Sequence, residues 1–147
     1  MTKRIRAMLE ILSLLVVLGV VLFLLLYWRS IPEQVPTHFD GKGQPTNWGD
    51  KMTLLILPIV GVVAYFLLTG CNALALAVSK DELPSSAGVW LSAFKLLLLL
   101  PFTVMTVFAA LARPLPAWFT PISILLPFMP ITCLVVEGVR RNAARRR

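Results

Sequence analysis

Four apolar runs, separated by short polar connections, account for most of the chain, and their lengths set the first expectation. The first run, residues 9–28, is interrupted only by Glu10, Ser13 and Gly19. At a rise of about 1.5 Å per residue, some twenty helical residues cross the roughly 30 Å hydrocarbon core of a bilayer. The runs over residues 53–79, 89–112 and 117–139 meet the same requirement. Lipid offers no partner to a free N–H or C=O, so an apolar segment of this length satisfies its backbone as a helix. The pattern predicts an all-α membrane protein: one domain over residues 1–147, folded as an antiparallel four-helix transmembrane bundle.

Local signals refine each span. Tyr27 and Trp28 close the first run as an interfacial aromatic anchor, and no small-x-small cleavage pattern follows, so the run is read as a retained span rather than a signal peptide. Asp50 is an N-cap for the second helix, and Pro58 falls in its early turns, where few backbone donors are lost. Gly61 and Ala64 offer a neighbouring helix close approach, and Asn72 needs a partner across a helix interface. Pro101 predicts a kink in the third span. Pro121, Pro127 and Pro130 predict that the fourth is the least regular.

One connection differs in kind. Residues 36–51 hold the only histidine, three of the eight glycines (Gly41, Gly43 and Gly49), Pro36 and Pro45, and Trp48. Asp40-Gly41 and Gly43 favour a tight turn, with residues 34–39 and 44–48 returning alongside each other. The two prolines each remove a ladder donor, so the pairing is expected to be short and irregular. Phe39 and Trp48 are expected to rest on the membrane face or to cap the bundle. As a metal ligand His38 would have only Asp40, Asp50 and Glu33 as nearby further donors, and as a general base it would need a nucleophile or held water that no Ser, Cys or carboxylate motif announces. Its expected role is to lock the loop through hydrogen bonds from its ring to the backbone.

Composition agrees with lipid as the main solvent: 58% hydrophobic and 14% charged, against about half and about a quarter in soluble domains. The formal charge of +7 lies mostly at the ends, where Lys3, Arg4, Arg6, Arg140, Arg141, Arg145, Arg146 and Arg147 supply eight of fourteen basic residues. Such placement suits lipid headgroups rather than nucleic acid, which is not expected as a partner. With Lys80, the side bearing both termini holds nine basic residues. The other side holds four, Arg29, Lys42, Lys51 and Arg113. This bias predicts cytoplasmic termini and an ordered extracytoplasmic loop between helices 1 and 2. Cys71 and Cys133 lie inside apolar runs and form no zinc or disulfide pattern; no metal or cofactor is expected.

Three charges remain within the runs or at their edges: Glu10, Lys95 and Glu137. All fall toward the side of the termini, so Lys95 is expected within salt-bridge reach of Glu10 or Glu137.

The residues around His38 also resemble a known family. Ile31-Pro32-Glu33-Gln34-Val35-Pro36-Thr37-His38-Phe39, then Gly41-Lys42-Gly43, then Trp48-Gly49-Asp50-Lys51 leading into a span, is similar to the DUF1648 family of bacterial integral membrane proteins over about residues 12–59. The positions that match its motif are Pro36, His38, Phe39, Gly43, Trp48 and Lys51. The same module begins the SdpI-like immunity proteins, which implies a role in sensing or neutralising an extracellular peptide; the last two spans do not resemble theirs.

The reading that follows is a non-enzymatic protein of the bacterial cytoplasmic membrane, with no catalytic residue assigned. Its loop, residues 31–51, recognises a peptide, a lipid or a membrane-protein partner, and self-association into a homo-oligomer is compatible with it. Two alternatives stand beside it: a small oligomeric transporter using Lys95, Glu137 and Asn72, and, ranked last, a membrane enzyme using His38.

Overall fold

A computed structural model describes residues 2–78 and 83–145. Its elements are α1 (Thr2–Tyr27), β1 (Gln34–Phe39), β2 (Pro45–Asp50), α2 (Ile56–Val78), α3 (Ala87–Ala110), α4 (Phe119–Leu125) and α5 (Phe128–Arg145), with short 3-10 turns at Trp28–Ser30 and Lys51–Leu55. The structure contains four helical stretches long and apolar enough to span a membrane, α4 and α5 together making the fourth. Lys80, Arg146 and Arg147 of the charge count lie outside the described residues.

The helices outrun the apolar runs at both chain ends. α1 is already helical at Lys3, Arg4 and Arg6, and α5 continues past Arg140 and Arg141. Hydropathy marks where lipid ends, whereas the i to i−4 ladder carries on wherever nothing interrupts it. α3 continues through Pro101 without a break. The fourth span does break: α4 ends at Leu125, and α5 begins at Phe128, just after Pro127, whose missing N–H and ring cannot continue the ladder.

α3 is the hub, packing against α1, α2 and α5. Bonds near the ends of the helices fix their directions. Glu10 early in α1 meets Lys95 early in α3, and Ser86 just before α3 meets Glu137 late in α5. Successive spans therefore alternate in direction, with both termini at one end and the β-hairpin at the other. Leu18, Leu25, Phe66, Leu67 and Leu74 are exposed on the outside of the bundle, as side chains solvated by hydrocarbon should be.

A buried cluster forms where the hairpin meets the helices. It joins Leu24 of α1, Ile31, Val35 of β1, Leu54 and Ala109 and Ala110 of α3, with Phe23, Trp28, Phe39 and Leu55 packed against it. Val35 has no exposed surface, and complete burial of such a side chain is worth about 1.5–3 kcal/mol. The hairpin is thus folded onto the bundle by the same force that builds a soluble core.

Candidate functional site

β1 and β2 pair antiparallel, Gln34 with Asp50, Val35 with Gly49, Pro36 with Trp48, His38 with Asn47 and Phe39 with Pro45, with irregular register around His38. The expected irregularity is therefore present, next to both prolines.

The tip is closed by Asp40. Its Oδ1 accepts from Lys42 N (2.9 Å) and Gln44 N (2.8 Å), its carbonyl accepts from Gly43 N, and its own N–H donates to Gln44 O, both at 2.9 Å. Gly43, at φ 79°, is the residue that needs the left-handed region; Gly41 does not adopt it. Gly43 is also where the tip touches the rest of the molecule, since Leu115 N, in the loop between α3 and α4, donates to Gly43 O at 2.8 Å. A Cβ on Gly43 would lie 2.2 Å from Leu115 O. Leu115 was not a candidate from sequence; its only signal is its place in the rigid Arg113-Pro114-Leu115-Pro116 stretch.

The feet of the hairpin are tied by Lys51. Its N–H donates to Glu33 O (2.9 Å), its ammonium pairs with Glu33 Oε1 (2.7 Å), and it lies 5.6 Å from the Trp28 ring centroid. Asp50 caps the turn that follows by accepting from Met52 N at 2.7 Å. This is the cap the sequence predicted, placed on a 3-10 turn ahead of α2. Pro36 is buried and Phe39 half-buried, both lining a small cavity with Leu54 and Ala109.

What the hairpin presents is different. Thr37, His38, Thr46, Asn47 and Trp48 are exposed, Trp48 to 49%. The His38 ring makes no hydrogen bond among the described residues; its backbone carbonyl accepts from Thr46 Oγ1 at 3.4 Å. The expectation that this ring locks the loop is corrected. Asp40, Gly43 and Lys51 do that work through local backbone contacts, so the imidazole is left facing out. Among the described residues no three His, Cys, Asp or Glu side chains converge as a metal site would require.

The intramembrane polar residues fall into two separate networks at the end bearing the termini. In the first, the Lys95 ammonium, with no exposed surface, donates to Glu10 Oε2 and to Thr69 Oγ1 (2.9 Å) and lies 4.6 Å from the Tyr65 ring centroid. Ser92 Oγ sits 2.6 Å from Glu10 Oε1. α1, α2 and α3 are pinned together here, as the salt-bridge expectation required. In the second, Glu137 accepts from Ser86 Oγ (2.5 Å) and Trp90 Nε1 (2.9 Å), tying α5 to the start of α3. Glu137 and Lys95 are therefore not brought together. Asn72 is buried, but its Nδ2 has no hydrogen-bond partner among the described residues.

No solved structure matches the chain. A protein from Archaeoglobus fulgidus, described as uncharacterized, is 46% identical over 43 residues, which are 29% of this chain and 24% of that protein. The chain thus covers about a quarter of that relative's length. The family model for a domain of unknown function, DUF1648, matches residues 14–62, within a few residues of the stretch that carried the resemblance. This segment runs from the middle of α1 through the hairpin and into α2, the part of the molecule in which the motif positions Pro36, His38, Phe39, Gly43, Trp48 and Lys51 all lie. The chain therefore carries a DUF1648 domain over residues 14–62.

Proposed function

We propose that the hairpin is a preformed recognition surface on the extracytoplasmic face of a non-enzymatic bacterial cytoplasmic-membrane protein whose termini lie in the cytoplasm, and that its partner is an extracellular peptide. The observation that carries this reading is the contrast between bracing and exposure. Tip, feet and inner face are fixed by Asp40, Gly43, Lys51 and Val35, whereas the His38 and Trp48 rings face outward with no hydrogen bond among the described residues. Exposed aromatic groups on a rigid frame lose little entropy on binding, which favours recognition.

β2 supports a peptide in particular. Among the described elements it packs only against β1 and the turn after it, which leaves its other edge uncovered by them. Trp48 N–H is held at 3.1 Å by its neighbour Asn47 Oδ1 rather than by a strand. An extended peptide can add to such an edge by main-chain hydrogen bonds, with side-chain contacts setting specificity. The likeness to SdpI-like proteins points to the same class of partner.

The test is site-specific photo-crosslinking in living cells from position 46. A discrete adduct is expected, and Trp48→Ala or His38→Ala should remove most of it at unchanged membrane levels. The same adduct at the same yield in both variants would contradict the reading.

A further inference from the structure

α1 and α2 separate toward the hairpin end and leave a lateral groove of about 690 Å³. Its walls are apolar, Val21 and Leu25 on α1 facing Ile59 and Val63 on α2, and Trp28 and Arg29 stand at its mouth. Val21 to Arg29 is a rise of about 12 Å, close to half of the roughly 30 Å hydrocarbon core. Deeper in, the helices close around a gap of about 10 Å³ beside Gly61 and Leu99, too small for more than a single water. The groove is therefore one leaflet deep. A partner's spanning helix would be offered only half of its length, whereas an acyl chain of the adjacent leaflet fits it end to end.

The mouth adds a charge. Arg29 is exposed and has no ion pair among the described residues. The neighbouring Lys51 is already matched by Glu33, so Arg29 leaves one uncompensated positive charge at the depth of the headgroups. The Trp28 indole beside it suits the same interfacial depth. We propose that the groove binds one acyl chain of an anionic phospholipid, with its phosphate at Arg29. The proposal is independent of what the hairpin recognises, since it uses neither His38 nor Trp48.

The experiment uses the full chain in vesicles carrying a phosphatidylglycerol with a photoactivatable acyl chain, compared with the matching phosphatidylcholine, and maps the labelled residues by mass spectrometry. Labelling on the Leu25 and Ile59 walls is expected to exceed that on the outward Phe66 and Leu67 face, and to favour phosphatidylglycerol. Arg29→Gln should lower that preference roughly fivefold, the share of one basic residue at an anionic surface. Val62→Trp, which fills the groove, should remove the wall label and keep the Phe66 and Leu67 label, a built-in control for an intact bundle. Should Val62→Trp not fold, Arg29→Gln decides alone, because that side chain is exposed and unpartnered. Equal labelling by both headgroups, a preference unchanged in Arg29→Gln, or a groove covered by a second copy of the chain would each overturn the proposal.

Discussion

Among the described residues Gly43 and Ala112 are the two whose backbones take positive φ, and their surroundings predict opposite responses to mutation. Gly43→Ala sets a Cβ against the Leu115 carbonyl, and the left-handed conformation itself costs an alanine about 1–2 kcal/mol. With the Leu115 N–H bond to the tip lost as well, the variant should lose about 2–3 kcal/mol of hairpin docking. Faster amide exchange at residues 34–50, with the helices unaffected, would show it. Ala112 ends α3 in a Schellman turn, Arg113 N donating to Phe108 O and Ala112 N to Ala109 O. Glycine is the usual residue at this position. Ala112→Gly should therefore be neutral or stabilising by up to about 1 kcal/mol, read as a higher melting temperature. The turn around Gly43 was legible in the sequence because Asp-Gly and a following Gly announce it. Ala112 was not, because nothing in its type signals positive φ. His38 misled for a related reason: a lone histidine says nothing of whether its ring has neighbours, and here the backbone fixes the loop without it.

At the scale of elements, the four long apolar helices were legible from hydropathy, since an apolar run of that length satisfies its backbone as a helix. Hydropathy could not show where helices continue into the headgroup region, nor which of two glutamates meets Lys95. The pairing with Glu10 follows from α1 and α3 running side by side in the same direction. Lys95 has no exposed surface, so removing its counter-charge strands an ammonium in the bundle. Glu10→Gln should cost on the order of 3 kcal/mol. Glu10→Gln with Lys95→Met should recover most of that loss, since the stranded charge is gone, and thermal unfolding of both variants in detergent measures the coupling. Equal losses in the single and double variants would mean that the ion pair is not what holds the three helices. Asn72 marks the opposite outcome. The sequence pattern called for a partner across a helix interface, yet the Asn72 Nδ2 is buried with no hydrogen-bond partner among the described residues.

The whole molecule combines two solvents and two kinds of packing. Below the hairpin, helices with exposed leucines meet around α3 and are pinned by buried polar groups. At the hairpin, a small hydrophobic core anchors a sheet whose outward face carries His38 and Trp48. The DUF1648 segment holds the hairpin and parts of the two helices that support it, while α3 and the loop after it supply Ala109, Ala110 and Leu115. This division was only half visible in the sequence: the motif named the hairpin, but not the later residues on which it rests. In the orientation proposed above, the hairpin faces the outside of the cell. Impermeant maleimide labelling of Thr46→Cys and Asn142→Cys, each in a background without Cys71 and Cys133, tests this most directly. In intact cells Thr46→Cys should label and Asn142→Cys should label only after permeabilisation; the reverse pattern would contradict the account.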